Sequence, residues 1–305
     1  MSYAKQALSI LYRGDLSSCN YGCYYCPFAK HQESKEEILR DKQALCRFSA
    51  WLAQQHSFAL LLFFTPWGEA LVRNYYRQAI VELSHLEHIQ KIAVQSNISC
   101  RFDWLEDADK TRIALWATYH PTEVSRERFL ASCEDLLARA VPFSVGTVGI
   151  KEHIDEIEAL RAALPPKVYL WVNAYDKAKH SQKTYYDQAD LDRLNAIDPL
   201  FGYNNQRYAS RGKSCRTGEK VISVDAQGDI RRCHFVSKVL GNIYTSELEA
   251  VLFPRPCSRQ FCDCHIGYVH MEDLGLGEVF GEGVLERIPD LNTLPNTYQA
   301  PIGGL

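Results

Sequence analysis

The placement of cysteine constrains this chain more than any other feature. Of its 305 residues 11 are cysteine. Cys19, Cys23 and Cys26 share the loop Ser18–Phe28, and Cys215, Cys233, Cys257, Cys262 and Cys264 fall in the last third. The N-terminal MSYAKQ lacks the apolar core of a signal peptide. The longest apolar run, Phe58–Phe64, is strand-sized, far short of the ~20 residues of a membrane helix. A cytoplasmic protein that spans no membrane is therefore expected. Thiols there stay reduced, so clustered cysteines imply a metal site or catalysis rather than a disulfide framework. A net charge of −3 supplies no basic field for nucleic acid.

The pattern of apolar residues alternates between strand and helix. Strands are predicted at Ala7–Leu11, Ala59–Phe64, Lys91–Gln95, Arg112–Ala117, Phe143–Val148 and Val168–Val172. Helices are predicted at Lys35–Gln55, Ala70–Leu86, Val124–Ala140, Glu152–Leu164 and Asp190–Ile197. Alternating units of this kind build a parallel sheet. Six strands fall short of the eight that close a full barrel, so the expected class is α/β, a partial (β/α)6 barrel. After Pro199 the texture changes. Val221–Asp225 and Asp229–His234 read as a hairpin about Ala226–Gln227–Gly228, and the last 30 residues as an extended tail. The division expected is a barrel over residues 1–198, then an extension and tail over 199–305.

The first cysteines are spaced C-x3-C-x2-C. A [4Fe–4S] cube normally takes four thiolates, so three on one loop leave one iron open. The spacing is neither that of a bacterial ferredoxin nor that of a zinc ribbon. Placed after the first strand, with Tyr25 before the last cysteine, the motif resembles the radical S-adenosylmethionine (SAM, also AdoMet) superfamily. Further signals follow in order. Pro66–Trp67–Gly68–Glu69 stands after the second strand, where that superfamily carries a Gly-Gly-Glu contact to the SAM amino group; Trp67 replaces the first glycine. Ser96 and Asn97 end the third strand, where it places polar contacts to SAM, and Val148 ends the fifth, where it holds adenine. The resemblance thus implies Cys19, Cys23 and Cys26 as ligands of a [4Fe–4S] cluster, and Tyr25, Gly68, Glu69, Ser96, Asn97 and Val148 as SAM-binding residues. His120, after the fourth strand, is a further candidate for contact with substrate or SAM.

The second group resembles the opening of SPASM and twitch extensions, through Cys215, Gly228 and Cys233 in a C-x12-G-x4-C arrangement. Those extensions carry auxiliary [4Fe–4S] clusters. Five cysteines cannot fully ligate two cubes, so one auxiliary cluster is implied, which makes two [4Fe–4S] clusters in all. The cysteine order is similar to that of the neomycin epimerase group. Carried across, Cys215, Cys233, Cys262 and Cys264 hold the cluster, and Cys257 is a thiol that returns hydrogen to the opposite face of an aminosugar carbon. Cys46, Cys100 and Cys133 stand alone; Cys46 and Cys133 fall in helical patterns and are expected in the core. Residues 265–305 carry a local balance of −5 against +2 for the rest, an acidic rim that would suit a cationic aminosugar. The resemblance also implies an external one-electron reductant of flavodoxin or ferredoxin type. A peptide-modifying radical SAM enzyme is the alternative; a non-catalytic iron–sulfur or zinc protein is the third class.

Overall fold

The computed structural model describes residues 5–175 and 185–293. Its strands and helices are β1 (Gln6–Tyr12), α1 (Lys35–Leu52), β2 (Phe58–Phe64), α2 (Asn74–Ser84), β3 (Ile89–Ser96), β4 (Ile113–Thr118), α3 (Arg126–Ala138), β5 (Phe143–Gly149), α4 (Ile154–Ala163), β6 (Leu170–Ala174) and α5 (Gln188–Ile197). After them come α6 (Phe201–Asn204), β7 (Tyr208–Ala209), β8 (Val221–Val224), β9 (Asp229–Arg231), β10 (Val239–Asn242), α7 (Leu248–Val251), β11 (Phe261–Cys262), α8 (His265–Tyr268) and α9 (Leu276–Phe280). Two 3-10 turns, Asp103–Asp107 and Lys110–Arg112, take the place of a helix between β3 and β4. Among the described residues no helix is long and apolar enough to cross a membrane.

The main sheet runs β10-β9-β8-β1-β2-β3-β4-β5-β6. Strands β1 to β6 pair in parallel and in order, as the alternation of elements predicts. The hairpin adds a feature the sequence did not announce: β8 lies parallel to β1, with Ser9 opposite Val221 and Tyr12 opposite Val224. The sheet therefore stays open, with β6 and β10 at its ends.

Strand alternation divides the core in two. Leu8, Ile10 and Tyr12 of β1, Leu60, Leu62 and Phe64 of β2, and Ile113 and Leu115 of β4 face the helices. Helix α1 answers with Leu45, Phe48 and Leu52 at helical spacing, and Ser34 caps it through a capping box with Glu37. On the other face, Leu11, Phe63, Ala93, Trp116 and Trp171 form a second cluster. Its other half is Tyr268, Met271, Leu276, Val279, Phe280 and Leu285.

That packing corrects the expectation of an extended tail. Residues 276–280 are helical, Leu276 and Phe280 are buried, and Glu286 and Arg287 lie inside as well. Lys91 Nζ meets Glu286 at 2.5 Å, and the Ser144 hydroxyl donates to the Glu286 carbonyl at 2.6 Å. Gly275 and Gly281, both at positive φ, flank the helix 276–280, and such glycines give the stretch a tail-like composition. Residues 294–305 of the expected tail lie outside the described residues. Cys133 is buried, but Cys46 is exposed, because it sits one position past Leu45 on the outer side of α1.

Candidate active site

The site is built where β1, β2, β3 and β4 end. The cysteine loop leaves β1 and is held at its base by two carboxylates. Buried Asp41 of α1 accepts the N–H groups of Asp15 and Leu16, both at 2.9 Å. Glu33 accepts the Ser17 N–H at 2.8 Å and also takes the Ser18 hydroxyl. Arg73 donates to that hydroxyl at 2.7 Å. The residues after β2 brace the loop from below: the N–H groups of Gly68 and Glu69 donate to the carbonyls of Leu16 and Ser18, each at 3.0 Å. A β-carbon on Gly68 would stand 2.1 Å from the Ser18 carbonyl oxygen, so only glycine permits this approach.

From the far side, Glu123 accepts the Gly22 N–H at 3.0 Å, and Tyr25 shares a hydrogen bond of 3.0 Å with Nδ1 of His120. Burial drops the His120 pKa to about 4, partly opposed by Glu123, so its ring is neutral near pH 7. Glu33, Asp41 and Glu123 went unnoticed in the sequence. Glu33 could have been suspected from its place beside the Ser34 cap; Glu123 has no local signal.

Glu69, Ser96 and Asn97 come together as one network. Glu69 is buried and accepts the Ser96 hydroxyl at 2.7 Å, the Asn97 N–H at 2.7 Å and the Leu71 N–H at 3.0 Å. Burial raises its pKa, against the pull of those three donors. The Asn97 side chain then donates to Asn20 at 3.0 Å and reaches the Cys19 sulfur at 3.7 Å. Trp67, in the place of the expected glycine, lies against Phe28 (4.1 Å between rings) with the Arg13 guanidinium 3.8 Å from its own ring centre. Cys19, Cys23, Cys26, Tyr25, Gly68, Glu69, Ser96, Asn97, His120 and Val148 all line one large open cavity. Its floor is Trp116 and Trp171. Trp171 occupies the space left by Gly146, where a β-carbon would fall 1.9 Å from the indole.

The second group of cysteines lines another, narrow cavity, and all five are in its wall. Strand β11, which carries Cys262, pairs with β7. Cys215 bridges to Met271. Cys257 is clamped by its N–H to the Lys213 carbonyl and its carbonyl to the Gly212 N–H. A β-carbon on Gly267 would lie 2.9 Å from the Cys262 sulfur and 3.9 Å from that of Cys233, so the glycine keeps the space before the thiols clear. Cys264 also lines the larger cavity, whereas Cys257 does not. None of Glu272, Asp273, Glu278, Glu282, Glu286 and Asp290 lines the larger cavity, so the acidity of this stretch is not at the mouth.

Three thiols in the first cavity and five in the second are the donor type that an iron–sulfur cluster takes. Among the described residues no three Cys, His, Asp or Glu side chains converge on one point. Convergence suits a single ion, whereas the thiolates of a cube each bind a different iron and must line a cavity instead. Burial pushes Cys23 up to about 11 and Cys262 up to about 12, so these thiols ionise near neutrality only against a compensating metal charge.

No protein-family model matches the chain, and no curated protein does. Solved structures do. Native anSMEcpe with bound AdoMet is similar over 80% of this chain and 80% of that one, at 14% identity and a TM-score of 0.54. With bound AdoMet and Cp18Cys peptide it matches over the same shares, at 15% identity and a TM-score of 0.53. The chain shares the fold of these AdoMet-bound structures. BtrN in complex with AdoMet and 2-DOIA is similar at a TM-score of 0.38 and 15% identity, over 82% of this chain and 83% of that one. In parallel β/α barrels the C-terminal strand ends form the mouth, and here those strand ends collect Cys19, Glu69, Asn97 and Val148 around one cavity.

Proposed function

We propose that this chain is a radical SAM enzyme acting on a substrate bound in the barrel mouth. One observation carries it: three thiols on a braced loop share a cavity with the Glu69–Ser96–Asn97 network. Cys19, Cys23 and Cys26 would hold a [4Fe–4S] cluster with an open iron, and Gly68, Glu69, Ser96, Asn97 and Val148 would line the SAM site, with Tyr25 held by His120. Bound there, cluster and SAM supply one-electron cleavage of SAM to methionine and a hydrogen-abstracting 5′-deoxyadenosyl radical. The chain's own part is to fix the loop, leave one coordination position free and exclude water with Trp67, Trp116 and Trp171. Alanine at all three cysteines should abolish deoxyadenosine formation; undiminished cleavage by that variant would refute the assignment.

The finer reading is epimerisation of a carbohydrate carbon, on an aminoglycoside-like substrate. It is supported by the fifth cysteine in the second cavity, one more than a cube takes. Cys215, Cys233, Cys262 and Cys264 would ligate the auxiliary cluster, and Cys257 would be the spare thiol that returns hydrogen, which requires it to reach the mouth from the second cavity, since it does not line the mouth itself. A twitch-like extension over residues 199–305 and an external one-electron reductant complete this reading. Peptide modification is the second reading. It is favoured by the roomy, aromatic-walled mouth and by likeness to a structure that holds a peptide. Product analysis in deuterated water separates them: epimerisation gives one deuterium at the inverted carbon of a carbohydrate, and a peptide product overturns it.

A further inference from the structure

Arg13 is the first residue past β1. Its N–H donates to the Val224 carbonyl at 3.0 Å, which fixes it at the seam between β1 and β8. In that seam Leu11 stands opposite Ser223, and Arg13, two residues on, shares the face of Leu11. Ser223 hydrogen-bonds the His234 ring, and His234 follows Cys233. The strand register thus brings the Arg13 side chain beside the turn that carries the second group of cysteines. Arg13 and Cys264 line the same cavity. One side of the guanidinium is covered by Trp67, 3.8 Å away. Its Nε is buried without a hydrogen-bond partner, and among the described residues no carboxylate lies within ion-pair distance of it.

Arg13 is half-buried, with its Nε out of water, and a cation so placed gains from a nearby counter-charge. Burial lowers the Arg13 pKa to about 10, and negative charge on Cys264 and Cys233 opposes that shift. We propose that Arg13 is a positioning residue whose counter-charge is the thiolate cage of the second cysteine group, and that it raises the reduction potential of the cluster held there. The proposal rests on the reading of an auxiliary cluster. Reduction adds negative charge to that cluster, and a fixed cation nearby favours the added charge. The Trp67 stack keeps the cation in place.

The test is a redox titration followed by electron paramagnetic resonance. It uses the full chain with Cys19, Cys23 and Cys26 changed to alanine, so that only the second site can load. Arg13→Gln should move the midpoint to a more negative potential, and Arg13→Lys should leave it near the parent value. Trp67→Glu, which sets a carboxylate beside an intact guanidinium, should shift it in the same direction as Arg13→Gln. If Arg13→Gln loses its iron, Trp67→Glu decides. An unchanged midpoint in the charge-altering variants would overturn the proposal. A parent variant that binds no iron would overturn the auxiliary cluster itself, a different failure.

Discussion

The backbone N–H of Asn97 donates to the buried carboxylate of Glu69 at 2.7 Å, while the Asn97 side chain lies 3.7 Å from the sulfur of Cys19. The end of β3, the loop after β2 and the cysteine loop are therefore one mechanical unit. A change in any of them should be felt at the thiols.

Gly68→Ala tests that unit without touching a cysteine. The added β-carbon meets a backbone oxygen, that of Ser18 at 2.1 Å, so the two loops must part. With both proposed cubes loaded in the parent, iron bound after reconstitution should fall by about half, from about eight per chain to about four, since only the first cube is lost. An iron assay with and without SAM checks it.

Gly146→Ala tests the floor of the mouth. Trp171 cannot retreat, because its indole N–H donates to Ser144 at 3.0 Å and Arg287 lies 4.3 Å from its ring. Overpacking should cost about 1–3 kcal/mol, read as a lower urea midpoint, with the Trp171 fluorescence altered.

Acid should weaken the fold through His120. Its folded pKa of about 4 lies below the ordinary value of about 6.5. The unfolded chain therefore binds more protons between those values, and stability is lost as pH falls through that window. Glu69, raised by burial, acts in the opposite direction, so the difference between wild type and His120→Gln isolates the histidine. That difference should shrink as the pH falls from about 6.5 to about 4, measured by urea unfolding.

Cys257→Ala should leave iron content unchanged and deoxyadenosine formation intact, yet yield no inverted product. Halved iron content would make Cys257 a ligand. Normal inversion would place the hydrogen donor elsewhere.

The parallel order of β1 to β6 was legible because each strand and helix carries its own periodicity. The mouth was legible because its residues sit at strand ends in a fixed order. The pairing of β8 with β1 was not, since Ser9 and Val221 are joined by register alone and no local pattern encodes a partner so far along the chain. The Gly22–Glu123 bond was hidden for the same reason. A helical pattern placed Cys46 in α1 but, for one small side chain, could not tell inner side from outer. The inward turn of residues 276–287 was masked by glycine, which reads as loop whether or not the residues between are buried.

That inward segment has a consequence for how the protein is made. Phe63, Trp116 and Trp171 belong to strands synthesised well before Leu276, Phe280 and Arg287, which cover them. During that interval the inner wall is bare apolar surface on a nascent chain, the kind of surface that chaperones hold and that misassembles when crowded. Chains halted before residue 276 should therefore aggregate or stay chaperone-bound even with every thiol of both groups already present.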